Sequence, residues 1–303
     1  MRVCIVGCGA VGSLFAANLA QLDDVEVWAY DLAQEHVDAI NREGLRLSGA
    51  GDVVGRLRAT SDPRELPECD FGVVATKAMH TSSAIAATAA AFANGCVASV
   101  QNGVGNEEAI AEHVASVIRG TTFPAGRVLE PGHVQWDVKG DTTFGPFEPS
   151  PAPLAEIERL AEACTRAGMP AQAVADARGP QWRKVIFNAA TNPIGALTGL
   201  THGRVCEDSG LRRLASGLVD EGKRIAAAAG VELHDDPWEM NVLATRRGSA
   251  HSPSMLEDVE ARRPTEVELI NGALVREAAR TGVEAPLQTA VYRLVRAREA
   301  SYS

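Results

Sequence analysis

The sequence predicts an α/β N-terminal domain followed by an all-α C-terminal domain, and three observations support this prediction. A glycine-rich turn, residues 7–12, stands between a β-rich run and a helical stretch near the start of the chain. Short strand-like runs then alternate with helical patterns, and beyond residue 178 only helical periodicities occur. The 303 residues are enough for two domains with separate cores, which we place at 1–177 and 178–303.

Composition restricts the class of protein. With 46% hydrophobic and 22% charged residues, the chain resembles an ordinary soluble globular protein. A net charge of -10 argues against a nucleic-acid partner, and neither a membrane-spanning run nor a signal peptide is recognisable. The six cysteines are scattered without metal-ligand spacing. We therefore expect a cytoplasmic protein with reduced thiols, no metal, and neither membrane nor nucleic acid as a partner.

The N-terminal element order is that of a dinucleotide-binding unit. A strand at 2–6, a glycine loop, a helix at 13–22 and a strand at 25–30 that ends at Asp31 form the βαβ pattern of a Rossmann-type domain. In this pattern the first glycine permits a tight turn, the second lets a pyrophosphate approach the backbone, and the third allows close helix packing. The residues expected to contact the cofactor are Gly7, Cys8, Gly9, Ala10, Val11 and Gly12.

Asp31 bears on the choice of cofactor. A carboxylate at the end of the second strand accepts hydrogen bonds from the adenosine ribose and repels a 2′-phosphate. The sequence therefore favours NAD(H) over NADP(H). Arg42 or Arg46 could still hold a phosphate, so NADP(H) stays open.

Two later loops are also expected to border the cofactor. Strand-like runs at 70–76 and 96–100 lead into loops that carry Lys77 and Asn102, and ligands bind beyond the carboxyl ends of parallel strands. Asn102-Gly is also a common turn dipeptide, so Asn102 alone is ambiguous. The region 121–147 predicts hairpins that extend the sheet antiparallel, and a short strand at 171–175 closes it.

In the second half, a row of polar residues stands out on one predicted helix. Lys184, Asn188 and Asn192 recur every four residues among Val, Ile, Phe and Ala, so they fall close to one helical face. Buried polar groups need partners, so this polar row joins a protein network or faces a polar ligand, unless it is the solvated face of a surface helix. Pro193 is expected to kink or end the helix. Helical patterns cover 180–197, 208–230, 235–246, 253–281 and 286–300.

Two acids compete for a role further along the chain. Ser254 and Asp258 lie one helical turn apart, and Glu266 and Glu268 follow a Pro-Thr pair. Spacing alone does not choose between the two glutamates.

These motifs, in this order and at these separations, resemble the ketopantoate reductase (2-dehydropantoate 2-reductase) family over residues 1 to about 300. The resemblance implies a Rossmann domain and a helical domain of the 6-phosphogluconate dehydrogenase C-terminal type, with the active site in the cleft between them. It also implies reduction of ketopantoate to pantoate, a step of pantothenate biosynthesis. The motifs that carry it are Gly7-Cys-Gly-Ala-Val-Gly12, Lys77, Gln101-Asn-Gly103, Trp182-Arg-Lys184, Asn188, Asn192-Pro193, Ser254-Met-Leu-Glu-Asp258 and Thr265-Glu266 with Asn271-Gly272.

The resemblance also implies residue roles. Lys184 is the general acid, and Glu266 lies near the reacting hydroxyl and the cofactor. Hydride addition puts negative charge on the carbonyl oxygen, and a lysine whose pKa is lowered by desolvation suits proton donation to that oxygen. The further implied contacts are to the substrate, by Asn102, Asn188, Asn192 and Ser254, and to the cofactor, by Asn102, Ala125 and Glu266.

Two departures from the family pattern leave the substrate open. Many members carry an arginine where this chain has Asp31, and the family commonly shows an asparagine, used on the pantoate side, where this chain has His202. The alternative to ketopantoate reduction is therefore an NAD-dependent D-2-hydroxyacid dehydrogenase of the mandelate type. A non-catalytic redox sensor is the third reading, and retention of Lys184 and Glu266 argues against it. The expected partner is a small 2-oxo acid, and apolar helical faces allow a homodimer.

Overall fold

The computed structural model describes residues 1–248 and 252–302. The chain divides into two compact units. The first unit comprises Met1–Gln101 and Asn106–Ala177, and the second comprises Asn102–Gly105 and Arg178–Ser303. A four-residue segment from the first half of the sequence therefore belongs to the helical unit.

The first unit is an α/β structure. Its elements, in chain order, are β1 (Arg2–Val6), α1 (Ala10–Leu19), β2 (Glu26–Tyr30), α2 (Gln34–Glu43), β3 (Leu45–Gly49), β4 (Val53–Gly55), β5 (Arg58–Thr60), β6 (Phe71–Val74), α3 (Thr81–Thr88), β7 (Cys96–Ser99), α4 (Asn106–Ala111), β8 (Val117–Thr122), β9 (Ala125–Glu130), β10 (His133–Val138), β11 (Thr142–Pro146), α5 (Leu154–Arg166) and β12 (Ala171–Ala173). Short 3-10 turns lie at Pro63–Glu65, Ala78–His80 and Ala89–Phe92.

The main sheet has the strand order of a Rossmann fold. Its order is β12-β11-β8-β7-β6-β1-β2-β5, and all neighbouring pairs are parallel except β8 with β11. Counted along the chain, the strands from β5 to β8 follow the order 3-2-1-4-5-6, which reverses between β1 and β6. The carboxyl ends of these six strands therefore meet at one edge, where such folds bind dinucleotides.

Alternation along the strands gives each face of the sheet its own core. In β1, Val3 and Ile5 join the apolar cluster that includes Leu14 and Phe15 of α1. The intervening Cys4 and Val6 belong to a second cluster on the opposite side. This period of two is expected for a strand that is covered on both faces.

A second sheet corrects one expectation. The hairpin of β9 and β10 does not extend the main sheet; β10 pairs in parallel with β3 in a separate sheet of order β4-β3-β10-β9. This sheet packs over α1, and a Cβ at Gly55 would lie 2.5 Å from the Cα of Ala17. In the 121–147 region only β11 extends the main sheet antiparallel, through β8.

The second unit is helical in its described residues. Its helices are α6 (Arg178–Thr198), α7 (His202–Glu207), α8 (Ser209–Ala228), α9 (Pro237–Gly248), α10 (Ser254–Glu260), α11 (Asn271–Thr281) and α12 (Pro286–Ala300). The long helix α6 packs against α8, α10 and α12. Its apolar side joins the core of this unit through residues such as Trp182, Ile186 and Ile194.

One sequence expectation for this unit is wrong. The single helix expected at 253–281 is broken at 261–270, where Pro264 lacks an N–H and Arg262 adopts a positive φ of 51°. Pro193 lies inside α6, which continues to Thr198, close to the end of the helical pattern at 180–197. No helix in the described parts of the chain has the length and hydropathy needed to cross a bilayer.

Candidate active site

The glycine loop between β1 and α1 has the geometry that its sequence predicts. Gly7 has a φ of 88°, and its N–H donates to the carbonyl of Tyr30 at 2.9 Å. A Cβ at Gly12 would lie 2.0 Å from the carbonyl oxygen of Gly7, so the helix packs closely on the turn. A Cβ at Gly9 would meet nothing within 4 Å. The backbone at Gly9 is therefore open to a ligand, beside the N-terminus of α1, which favours a pyrophosphate.

Asp31 follows β2 and lies against this loop. Its carboxylate accepts hydrogen bonds from the N–H of Cys8 and from the N–H of Ala33, each at 2.8 Å. The acid is therefore held in place beside the middle of the glycine loop. The alternative phosphate holder Arg42 is exposed and pairs with Glu43 at 2.8 Å, and Arg46 is exposed on β3 of the second sheet.

Other predicted cofactor residues follow the carboxyl ends of neighbouring strands. Lys77 lies three residues after β6 and is exposed, while Ala125 lies three residues after β8 and is partly buried. Because β6 and β8 are parallel to β1 in the sheet, both positions fall on the edge that carries the glycine loop. Thr76 belongs to the same loop as Lys77, and the sequence assigned it no role of its own. A Cβ at Gly7 would lie 2.5 Å from the side chain of Thr76, so this residue forms the floor of the turn.

The polar row of the second unit lies along α6. Lys184, Asn188 and Asn192 project within about 80° of one another around the helix axis. Asn188 and Asn192 are only 7% and 6% exposed. Within residues 1–248 and 252–302, no group hydrogen-bonds either side-chain amide. Two buried amides in this state favour a polar ligand over a protein network.

Lys184 is partly buried and electrostatically perturbed. Burial lowers the pKa of its ammonium group to about 8, and the negative charge of Glu266 acts in the opposite direction. The pKa of Lys184 therefore lies much closer to neutral pH than that of an ordinary lysine.

The structure distinguishes the two competing glutamates. Glu266 is 8% exposed, and its Oε2 accepts a hydrogen bond from the Asn102 side-chain amide at 3.2 Å. Glu268 instead accepts a hydrogen bond from the Tyr292 hydroxyl at 2.6 Å and pairs with Arg276 on a half-exposed surface. Only Glu266 therefore shares the environment of Lys184.

Asn102 reaches this environment because its segment belongs to the second unit. The N–H of Val104 donates to the carbonyl of Leu269 at 2.9 Å, and the Gln181 side chain donates to the carbonyl of Gly103 at 3.4 Å. Gly103 has a φ of 97°, and a Cβ there would lie 2.6 Å from the carbonyl oxygen of Leu269. The segment 102–105 is thereby attached to the turn that carries Glu266. Sequence reasoning missed Gln181, which stands one helical position before the Trp-Arg-Lys motif.

The remaining predicted substrate residues lie elsewhere in the helical unit. His202 begins α7, is 5% exposed, and its ring centroid lies 5.4 Å from that of Phe187 on α6. Ser254 is the exposed first residue of α10. Phe187 was not singled out from the sequence, although it directly precedes Asn188.

Comparisons with known proteins identify the family. The sequence model described as Ketopantoate reductase PanE/ApbA matches residues 3–149, and its C-terminal counterpart matches residues 176–299. A 2-dehydropantoate 2-reductase of Archaeoglobus fulgidus is 35% identical over 98% of both chains.

Solved structures with a similar fold include members of the same family. A PanE/ApbA family ketopantoate reductase from Ralstonia eutropha JMP134 superposes with a TM-score of 0.90 at 29% identity, covering 100% of this chain and 99% of that one. D-mandelate dehydrogenase, solved with NADH and anilino(oxo)acetate, superposes with a TM-score of 0.89 at 25% identity, covering 100% and 99%.

A Rossmann-type unit and a helical unit that carries a lysine of lowered pKa define a dinucleotide-binding oxidoreductase. Because family models match both halves of the sequence, the chain belongs to the ketopantoate reductase family. The predicted fold class and family are thereby confirmed.

Proposed function

We propose that this protein reduces the C2 carbonyl of a 2-oxo acid, with ketopantoate as the leading substrate and NADH as the reductant. The observation that carries the proposal is the polar group around Lys184. A lysine with a pKa of about 8 shares one face of α6 with two buried amides that have no hydrogen-bond partner among the described residues, and a buried glutamate lies nearby. The 2-dehydropantoate 2-reductase of Archaeoglobus fulgidus, at 35% identity, supports the choice of substrate.

The proposed roles follow from the chemistry of each side chain. When bound, NADH supplies the hydride that the C2 carbon accepts. The Lys184 ammonium donates its proton to the carbonyl oxygen, so the product is a hydroxyl and the lysine is left neutral. At pH 7 a pKa of about 8 keeps about 90% of this group protonated, ready to donate.

The neighbours of Lys184 orient the reactants. Glu266 favours the charged lysine and accepts a hydrogen bond from Asn102. The amides of Asn188 and Asn192 are placed to hydrogen-bond the substrate carboxylate without neutralising the lysine, and we assign Ser254 and His202 to the same substrate. Neutral amides bind an anion at a lower desolvation cost than a second buried cation would require.

The first unit supplies the proposed cofactor site. The open backbone at Gly9 and the close packing at Gly7 and Gly12 fit a pyrophosphate at the N-terminus of α1. We assign Cys8, Ala10, Val11, Lys77 and Ala125 to the same dinucleotide. Asp31, fixed by two backbone N–H donors, supports NAD(H) because its charge opposes a 2′-phosphate.

A substrate and cofactor panel tests this proposal. Initial rates of NADH and NADPH oxidation are measured with ketopantoate, pyruvate and phenylglyoxylate. We expect the highest kcat/KM with NADH and ketopantoate. Absence of turnover with every 2-oxo acid, despite NADH binding, would contradict the enzyme assignment and support a sensor.

A second candidate is a dehydrogenase of the D-mandelate type. The buried His202 ring packs on Phe187, which directly precedes Asn188. At the position of His202 the family commonly has an asparagine, so the aromatic ring changes the character of this part of the site. D-mandelate dehydrogenase is also among the similar structures. A kcat/KM that is higher for phenylglyoxylate than for ketopantoate would favour this candidate.

A further inference from the structure

The helix that carries Lys184 passes through a proline without ending. Pro193 lies inside α6 and has no N–H to offer to the carbonyl of Ala189, four residues earlier. Ala189 is fully buried. A buried carbonyl without a hydrogen-bond partner is costly, so the helix needs a donor from elsewhere at this point.

Asn271 supplies that donor. Its side-chain Nδ2 donates to the carbonyl oxygen of Ala189 at 2.9 Å and to Oε1 of Gln288 at 2.8 Å. Asn271 is fully buried, and Gln288 is fixed in turn by donation to the carbonyl of Leu218 at 2.9 Å. The amide of α11 therefore replaces the helical hydrogen bond that Pro193 removes.

The same residue is rigidly connected to Glu266. The N–H groups of Leu269 and Ile270 both donate to the carbonyl of Glu266 at 3.1 Å, and the N–H of Gly272 donates to the carbonyl of Val267 at 2.9 Å. Asn271 thus directly follows a hydrogen-bonded turn that begins at Glu266. Its side chain joins this turn to α6 at the residue next to Asn188.

We propose that Asn271 is a positioning residue, which uses the carbonyl left open by Pro193 to hold the Glu266 turn against the helix that carries Lys184. The proposal rests on the proposed function of Lys184 and Glu266. Without this connection, the turn keeps its internal hydrogen bonds but loses its fixed distance from the lysine. Lys184 then loses part of the charge that favours its protonated form.

A double-mutant cycle on stability tests the hydrogen bond. Asn271→Ala, Pro193→Ala and the double variant are unfolded in urea, and Asn271→Ser replaces the alanine variant if the latter does not fold. In the Pro193→Ala background the new N–H of residue 193 can bond the Ala189 carbonyl, so the loss of Asn271 should cost less there. The unpaired Gln288 oxygen is common to both backgrounds and cancels. Strictly additive effects would overturn the proposed connection.

Kinetics test the positioning role. In Asn271→Ala we expect kcat to fall about tenfold or more, with the loss of activity at high pH moving to lower pH as the pKa of Lys184 falls. The double variant should regain stability but not kcat, because the Glu266 turn stays unattached. Val291→Ala, a buried change in the same core, controls for stability alone and should leave the pH profile unchanged. An unchanged profile in Asn271→Ala, or recovery of kcat in the double variant, would reduce Asn271 to a structural residue.

Failure of the proposed function and failure of the proposed role of Asn271 can be distinguished. If the wild-type protein reduces no 2-oxo acid, the proposed function is wrong, whereas the stability cycle still decides whether Asn271 and Pro193 are coupled.

Discussion

The glycine loop and the Lys184 helix build their sites in different ways. The glycine loop consists of six consecutive residues. Its backbone N–H groups and the lack of a side chain at its glycines make it suitable for a ligand. The Lys184 site combines α6 with the segment 102–105 and the turn at 266–270. A site made of backbone is specified locally, whereas a site made of charged side chains depends on which distant segments the fold brings together.

The two regions also differ in electrostatic cost. Two backbone N–H groups hold Asp31, one from Cys8 in the glycine loop and one from Ala33, so the charge of this acid is stabilised by hydrogen bonds. Burial of Lys184 disfavours its charged form and lowers its pKa to about 8, and the negative charge of Glu266 offsets this shift only in part. We therefore expect substitutions around Lys184 to change catalysis and substitutions in the loop to change cofactor binding or folding.

Loss of Lys184 should have the largest catalytic effect. Lys184→Ala removes the proposed proton donor, so kcat should fall about 10²–10⁴-fold with little change in NADH affinity. Steady-state rates and NADH fluorescence titration measure the two quantities. Lys223→Ala, which removes a partly exposed lysine of α8 paired with Asp236, is the matched control. A Lys184→Ala enzyme with normal turnover would remove the general-acid role.

Two loop glycines separate folding from cofactor binding. Gly12→Ala places a methyl group 2.0 Å from the Gly7 carbonyl oxygen and should destabilise the protein by about 3 kcal/mol or more. Gly9→Ala meets no protein atom and keeps an allowed φ of -70°, so it should leave the melting temperature nearly unchanged. Its methyl group would instead obstruct the pyrophosphate and raise the KM for NADH. Thermal melting and initial rates distinguish the two outcomes, and a Gly9→Ala protein with an unchanged KM would contradict the proposed approach of the ligand.

Local chemistry explains how much the sequence could predict. The glycine loop and the bounds of α12 follow from neighbouring residues, and the structure agrees with both. The hairpin at β9 and β10 could not be placed, because pairing with β3 joins residues 87 positions apart, such as His133 and Arg46. The break at 261–270 carried a local signal, Pro264, which the helical periodicity around it obscured.

The spacing of residues alone could not choose between Glu266 and Glu268. Both acids follow the same Pro-Thr pair, and only the contacts with Asn102, Tyr292 and Arg276 separate them. Nothing in the spacing reveals that residues 102–105 belong to the helical unit. The resemblance to the family selected Glu266, and the observed burial supplies a physical reason for that choice.

The two glutamates form a matched pair for mutation. Glu266→Gln should lower kcat/KM about tenfold to hundredfold and move the loss of activity above pH 8 to lower pH, because the charge that supports protonated Lys184 is gone. Glu268→Gln removes a half-exposed ion pair and should cost about 1 kcal/mol of stability or less, with kcat unchanged. Rates measured from pH 6 to 10 test both variants. Equal effects of the two changes would contradict the assignment of Glu266.

Asp31→Asn should have the smallest effect, on cofactor choice. The amide keeps the shape of the acid and one acceptor oxygen but removes the charge that opposes a 2′-phosphate. The ratio of kcat/KM for NADH to that for NADPH should therefore fall about tenfold. Asp38→Asn, an exposed change on α2, is the control. If Asp31 only supports the loop through the N–H of Cys8, the KM values for both cofactors will rise together. A change in the ratio, in contrast, shows that the carboxylate discriminates between the cofactors themselves.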